Sequence, residues 1–188
     1  MKEKKKSVAL LLGENLIWSS KKEERLANDD EILCVTVEFF SKLKDLIEHK
    51  CRNFLMIVCS EEDYALLYQV NRIREMRKRI RFEIFCYNRE LFDSLQQQYP
   101  LYPPIHPKDK ITYLTEYEKG NEAEFQTDIL NHATVVFCVY NQKKVSPTLK
   151  SIIGQATALK KQVIFQSSNP WKEYMDEIKD KVTPFPNF

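Results

Sequence analysis

Short apolar runs separated by longer amphipathic stretches constrain the fold of this chain more than any other feature. Between the runs, apolar residues recur at intervals of three and four, which is typical of helices that face a core. The stretch from Glu31 to Lys50 shows this spacing, with Val35, Phe39 and Leu43 on one face. The apolar runs that read as buried strands are residues 7–12, 53–59, 81–87, 111–115, 134–140 and 162–166. Continuous apolar strands that alternate with amphipathic helices predict an α/β fold, a Rossmann-like three-layer sandwich with a mostly parallel sheet.

Length and composition narrow the class of protein. A chain of 188 residues fits one domain, here residues 1–188, and can bury a core without a metal or a disulfide. Hydrophobic residues make up 43% and charged residues 30%, the profile of a soluble globular protein. The net charge of +2 is too small to attract a nucleic acid or a membrane by bulk electrostatics, so we expect neither as a partner.

The cysteines and the start of the chain bear on its location. None of the five cysteines forms a CxxC pair, and an odd number suits a reducing compartment. Cys59, Cys86 and Cys138 lie in or beside apolar runs, and we expect them to be small buried hydrophobes. The run at 7–12 is too short for a secretory signal, and no run approaches the ~18 apolar residues of a membrane span. The sequence therefore predicts a cytoplasmic protein.

Polar segments follow the predicted strands, and they define the candidate site. Ligands of open parallel sheets bind at the carboxyl ends of the strands. Those ends are 13–15, 59–63, 87–88, 115–117, 140–148 and 166–169. The candidate ligand-binding residues are Gly13, Glu14, Ser60, Glu61, Glu62, Tyr140, Asn141, Ser146 and Thr148. The carboxylates after the second strand could hold a cation or a ribose hydroxyl, or could simply cap a helix, and the polar loop at 140–148 could hold a base or sugar or be only a loop.

Two segments carry a resemblance to a known family. One reads LKDLIEHKCRNFLMIVCSEEDYALLYQVNRIREMRKRIRFEIFCYN and the other ATVVFCVYNQKKVSPTLKSIIGQATALKKQVIF. In layout the chain resembles, over about residues 33–168, the SLOG superfamily of Rossmann-like proteins, which includes the lonely-guy phosphoribohydrolases and DNA-processing-protein-A-like proteins. The likeness is strongest to small bacterial members. The resemblance implies nucleotide binding at glycine-rich loops, and the second segment also looks like the end of nucleoside 2-deoxyribosyltransferases.

The chain departs from that pattern at the residues that hold phosphate. Its three glycines are Gly13, Gly120 and Gly154. Where the resemblance places a glycine-rich loop, residues 59–63 carry three carboxylates, which would repel a phosphate. After the fifth strand, Ser146, Pro147 and Thr148 stand in place of glycines. Ile152 aligns with the acidic residue of the deoxyribosyltransferase helix, and an isoleucine can be neither nucleophile nor base.

Three hypotheses follow. The first is a degenerate SLOG-like module that binds a nucleotide or nucleoside-like small molecule without catalysis, cofactor or metal. The second is a divergent nucleoside- or nucleotide-processing enzyme, an N-glycosidic bond hydrolase or transferase, whose acid is Glu61, Glu62 or Glu116. The third is an interaction protein that forms a homo-oligomer or uses a basic helix face. That face comprises Arg72, Arg74, Arg77, Lys78, Arg79 and Arg81. A solvated helix surface is the alternative explanation of the same run.

Overall fold

The computed structural model describes residues 7–18, 29–76, 80–98, 109–116 and 122–170, together with the single positions 174 and 177. The strands are β1 (Val8–Gly13), β2 (Asn53–Val58), β3 (Arg81–Cys86), β4 (Lys110–Tyr113), β5 (Val135–Tyr140) and β6 (Gln162–Ser167). The α-helices are α1 (Asp29–Glu48), α2 (Glu61–Met76), α3 (Arg89–Gln98), α4 (Glu122–His132) and α5 (Pro147–Ala158). Each strand predicted from an apolar run overlaps an observed strand. Most of the terminal helix expected at 170–180 lies outside the described residues.

The six strands form one sheet in the order β4-β3-β2-β1-β5-β6, and every pairing is parallel. The predicted Rossmann-like three-layer sandwich is therefore confirmed, with a sheet that is parallel throughout. β1 lies in the interior of the sheet, paired with β2 on one side and β5 on the other. The chain adds strands outward from β1 in one direction as far as β4 and then crosses to the other side. The carboxyl ends of β1 and β5 form the topological switch point, the place where ligands of such sheets bind.

The helices cover both faces of the sheet, as right-handed crossovers require. Alternate residues of β1 show the two layers. Ala9 and Leu11 pack into the core beneath α1, α2 and α3, whereas Leu10 and Leu12 pack into the core beneath α4 and α5. In the first core, the Phe39 ring of α1 stacks on Phe137 of β5, with 5.6 Å between ring centroids. Because both faces of the central strands are buried, their sequences are apolar without alternation.

The cysteines divide into buried and exposed groups. Cys51, Cys86 and Cys138 are buried, as small hydrophobes are. Burial raises the pKa of Cys138 to about 12, so this group stays a thiol. The expectation that Cys59 is buried is wrong, because β2 ends at Val58 and Cys59 begins the exposed turn into α2.

The basic run of α2 does not form one solvated face. The guanidinium of Arg74 makes an ion pair with Asp109 at 2.7 Å, and the two side chains are only 13% and 3% exposed. Its plane also lies over the Phe82 ring, 4.2 Å from the centroid. Arg72 is exposed on α2. Arg81 is also exposed, but it begins β3, so its expected place on the helix face is wrong, and residues 77–79 lie outside the described part of the chain. Arg74 is therefore part of the framework and is unavailable to a partner.

Membrane insertion can be tested on the helices that the structure describes. None of them is both long enough and apolar enough to cross a bilayer.

Candidate functional site

The loop after β1 begins the candidate site at the switch point. The Glu14 N–H donates to the Val139 carbonyl at 2.9 Å, so the parallel ladder with β5 continues one residue beyond β1. Asn15 then adopts a left-handed backbone with φ of 53°, a conformation that asparagine tolerates better than most residues. This turn directs the chain across the carboxyl edge of the sheet, between the start of α2 and the start of α5.

Gly13 serves packing at this edge. A Cβ added at this position would lie 3.0 Å from the Leu16 Cδ1 and 3.0 Å from the Leu66 Cδ2 atoms. The absence of a side chain lets the loop after β1 approach α2 closely. Gly13 was predicted as a ligand contact because it follows the first strand, and the structure places its backbone against the Leu16 and Leu66 side chains.

The start of α5 is closed by groups of the protein itself. Ser146 is the N-cap, and its Oγ accepts a hydrogen bond from the Leu149 N–H at 3.1 Å. Pro147 takes the first helical position, where a backbone N–H would have no partner within the helix, so the missing N–H of proline costs no hydrogen bond. The Ser146 N–H donates to the Glu14 carboxylate at 2.8 Å. A helix N-terminus attracts anions, and here the anion is a side chain of the same chain.

The start of α2 is closed in the same way. The Asp63 carboxylate accepts from the Cys59 N–H and from the Ser60 Oγ, each at 2.9 Å, and the Asp63 N–H donates back to the Ser60 Oγ at 3.2 Å. These bonds form a reciprocal cap at the start of α2, which is the helix-capping role that the sequence left open for the carboxylates after the second strand. The neighbouring Glu62 carboxylate accepts from the Asn15 N–H at 2.6 Å. A second backbone N–H at the switch point is thus bound to a side-chain carboxylate.

Asp63 is the carboxyl group at this edge with a strongly shifted pKa. Its pKa is raised from 3.8 to about 6, chiefly by burial and also by the nearby Glu62 charge, while the hydrogen bonds from Cys59 and Ser60 oppose the shift. Its oxygen is already engaged within its own helix start, so it acts as a cap and not as a base aimed at a ligand.

The loop after β5 is braced from within. Asn141 is buried, and its Oδ1 accepts from the Lys143 N–H at 2.9 Å. The Asn15 side chain donates to the Lys144 carbonyl at 3.3 Å, which ties this loop to the loop after β1. The Tyr140 ring packs edge-on against Phe165, with 4.8 Å between centroids. The loop after β1, the loop after β5 and the end of β6 therefore meet at the carboxyl edge of the sheet, although they are far apart in the sequence.

The predicted residues divide by what they contact. Those drawn together around Asn15 are Glu14, Glu62, Asn141 and Ser146. Ser60 is engaged in the cap, and Thr148 is exposed on the first turn of α5. The side chain of Glu116 lies outside the described part of the structure.

Gln166 and Ser168 lie in the segment 166–169 that was predicted at this edge, but they were not named among the candidate ligand-binding residues; both are buried at the end of β6. Their burial could have been predicted from the sequence, because Ile164, Gln166 and Ser168 are spaced two apart and therefore lie on the same face of the strand.

Two further features bear on ligands. Among the described residues, no group of three or more His, Cys, Asp or Glu side chains could hold a metal ion. A cleft of about 330 Å³ lies at the opposite, amino-terminal edge of the sheet, where its lining includes Leu46, His49, Val135 and Ile164. It contains none of the candidate residues.

The His49 side chain has a role at the end of α1. Its Nδ1 lies 2.7 Å from the Asp45 carbonyl, so the ring caps the C-terminus of that helix.

No family model matches the sequence, and no curated protein is significantly similar to it. The function must therefore be inferred from the fold and from the geometry of the carboxyl edge.

Proposed function

We propose that this protein is a degenerate SLOG-like module that binds a nucleoside-like small molecule at the switch point and does not catalyse a reaction. The ligand lies over the loops after β1, β2 and β5 and is held by side chains. The observation that carries the proposal is the Glu14 carboxylate on the Ser146 N–H, at 2.8 Å. It fills the position that a ligand phosphate takes in glycine-rich Rossmann-like sites.

The charges at this edge favour a ligand without a phosphate. A phosphate at the start of α5 would have to displace Glu14 and would then face that carboxylate and Glu62 together. Like charges held a few ångströms apart repel strongly in a partly buried site. The same carboxylates are good acceptors for hydroxyl groups, as acidic residues are for the ribose in dinucleotide-binding folds.

The free carboxylate oxygens fit a diol. Glu62 uses its Oε2 for the Asn15 N–H, and Glu14 uses its Oε2 for the Ser146 N–H. Among the described residues, the Oε1 atoms of both side chains have no hydrogen-bond partner. Two acceptors on adjacent loops suit the paired hydroxyls of a ribose, each hydroxyl donating to one carboxylate.

A binding role is supported by what stands at the family's catalytic position. Ile152, which aligns with the acidic residue of the deoxyribosyltransferase helix, is 8% exposed and packs in the core beneath α4 and α5. No carboxylate takes its place on that face of α5 within the described residues. Chemistry by the family's route therefore has no acid to use.

The test compares nucleosides with their 5′-monophosphates by thermal shift and calorimetry. We expect a nucleoside to stabilise the protein, by about 2.7 kcal/mol at 100 times its dissociation constant, and its monophosphate to bind less well. Glu62→Gln should weaken nucleoside binding, whereas the matched control Glu48→Gln, on an exposed turn at the far edge of the sheet, should not. Tighter binding of the monophosphate, or release of free base in the incubated sample, would overturn the proposal.

A further inference from the structure

Two buried polar atoms beside the switch point have no hydrogen-bond partner within the described part of the chain. Gln166 is 1% exposed and Ser168 is 0% exposed. Among the residues that the structure describes, none donates to the Oε1 atom of Gln166 or bonds the Oγ atom of Ser168. A buried polar atom without a partner opposes folding, and native structures keep few of them.

The orientation of the Gln166 amide is fixed by its other end. Its Nε2 donates to the Val35 carbonyl of α1 at 3.0 Å. A carbonyl oxygen can only accept, so the NH₂ group must face α1 and the Oε1 atom must point away from it. Gln166 therefore presents an acceptor that needs an N–H or O–H donor.

Ser168 lies on the same face of the sheet as Gln166. Its N–H donates to the Tyr140 carbonyl at 3.2 Å, so the ladder with β5 continues past the end of β6. Residues two apart in a strand point to the same side, with Cα atoms about 7 Å apart. Ile164, two residues before Gln166, packs against the core beneath α1. The alternation thus places both side chains on the face of the sheet that α1 covers.

Strand pairing locates this pair relative to the candidate site. Val139 of β5 is in register with Gln166, so the chain on the β5 side continues through Tyr140 to the buried Asn141 beside Ser168. The acceptor and the hydroxyl therefore lie at the same carboxyl edge as the loop that contains Ser146, one strand further from β1.

We propose that Gln166 and Ser168 form the subsite that recognises the heterocyclic part of the ligand. Gln166 Oε1 accepts from a ring or exocyclic N–H, and the Ser168 hydroxyl donates to an adjacent ring nitrogen or carbonyl. The ligand class is a planar group with a donor next to an acceptor, as on the edge of a nucleobase. This inference rests on the proposed function, which places the sugar over Glu14 and Glu62.

An internal water is the competing explanation, since a buried water could bond both atoms. The two explanations differ in the unliganded protein. If a water is bound, Ser168→Ala removes one of its partners and lowers the melting temperature. If the site awaits a ligand, Ser168→Ala removes an unsatisfied atom, and the melting temperature stays unchanged or rises.

The experiment measures melting temperature and nucleoside affinity for the wild type, Ser168→Ala and the neighbouring control Ser167→Ala. The probes are adenosine, guanosine, cytidine and uridine, with purine riboside as an adenosine analogue that lacks the exocyclic amine. We expect Ser168→Ala to weaken binding of the preferred nucleoside about tenfold, equal to about 1.4 kcal/mol, without lowering the melting temperature. Ser167→Ala should leave the affinity unchanged. Because it removes the 3.3 Å hydrogen bond that the Ser167 Oγ accepts from the Asn169 N–H, its melting temperature shows what the loss of an ordinary hydrogen bond costs here. Gln166→Met should weaken the same nucleoside, with its own melting temperature reported alongside.

The outcomes separate the two proposals. Unchanged affinity in Ser168→Ala and Gln166→Met would overturn this inference and leave the proposed function standing. A lower melting temperature of unliganded Ser168→Ala would assign the two atoms to a bound water and overturn it as well. If none of the nucleosides binds the wild type, the proposed function and this subsite both fall.

Discussion

The Glu14 carboxylate accepts a 2.8 Å hydrogen bond from the backbone N–H of Ser146, a residue 132 positions further along the chain. The bond joins the two sides of the switch point and occupies the start of α5. A carboxylate of the protein thereby lies at a helix N-terminus, a place that binds phosphate in glycine-rich nucleotide-binding folds. The N-terminus of α5 still favours a negative charge, and the Glu14 side chain supplies that charge.

Removing this carboxylate should restore an anion site. In Glu14→Ala the Ser146 N–H loses its acceptor, and we expect a loss of about 1 kcal/mol of unfolding free energy because one hydrogen bond is removed. Inorganic phosphate should then raise the melting temperature of the variant and leave that of the wild type unchanged. Glu48→Ala, which removes an exposed carboxylate on the last turn of α1, is the control. An equal response of wild type and variant to phosphate would contradict the internal occupation of α5.

The buried pair of Arg74 and Asp109 should be worth far more than an exposed pair nearby. The Asp109 carboxylate accepts a hydrogen bond from Arg74 at 2.8 Å and one from the Phe82 N–H at 3.0 Å, and its other oxygen lies 2.7 Å from a second guanidinium nitrogen in the ion pair. Asp109→Ala leaves the guanidinium without this carboxylate in a buried setting, and we expect a loss of about 3–5 kcal/mol in urea denaturation.

The matched control for that pair is the ion pair between Lys110, the residue after Asp109, and Glu83 of β3. Their side chains are 69% and 34% exposed, and water screens their contact. Glu83→Gln should change the unfolding free energy by less than about 1 kcal/mol. Similar losses for Asp109→Ala and Glu83→Gln would contradict the assignment of Arg74 to the framework.

The pKa of Asp63 makes stability depend on pH. The pKa rises from 3.8 to about 6 on folding, chiefly through burial. The folded protein therefore binds this proton more tightly than the unfolded chain, so the stabilisation is complete below the unfolded pKa and is lost as the pH rises through about 6. A shift of about two units corresponds to up to about 3 kcal/mol.

The measurement is urea denaturation of wild type and Asp63→Asn across that interval. Asparagine keeps an acceptor for the Cys59 N–H and has no proton to bind. We expect the wild type to lose stability between about pH 4 and pH 7.5 relative to the variant. Parallel curves for the two proteins would mean that the Asp63 pKa is the same in the folded and unfolded states.

Two glycines should respond in opposite directions to the same substitution. Gly154 lies on an exposed turn within α5, and an added Cβ would meet nothing within 4 Å. Gly154→Ala should stabilise the protein by about 0.5–1 kcal/mol, because alanine favours the helix and restricts the unfolded chain. Gly13→Ala should destabilise it by about 1–3 kcal/mol, because the new methyl presses on Leu16 and Leu66. Stabilisation by both changes would contradict the close packing of Leu16 and Leu66 against Gly13.

The architecture could be predicted from the sequence because strands buried on both faces are apolar throughout, as residues 134–140 are. The strand order could not, since local patterns do not state which strands pair. The burial of Arg74 could not be predicted either, because local patterns do not show contacts between residues that are far apart in the sequence. It stands in a run of basic residues that is typical of a solvated helix, and its partner comes 35 residues later.

The candidate site was predicted in part. Glu14 and Ser146 were placed at the correct edge because both follow apolar runs. Their bond to each other depends on β1 and β5 being neighbours, which no spacing in the chain reveals. Gln166 was taken as the polar end of a strand, and its burial follows from the position of α1 above it.

The place of β1 also sets the order in which a newly made chain can close. Val8 and Thr134, which are joined by a hydrogen bond, are 126 residues apart. During synthesis, β2 is available to β1 early, but the other side of β1 stays open until β5 leaves the ribosome, on the order of ten seconds later. For that interval the most apolar part of the sheet is an unpaired edge that other chains can join. A chain that stops before β5 therefore lacks the switch point and carries an aggregation-prone edge, so completion of synthesis forms the proposed binding site and removes the hazard at once.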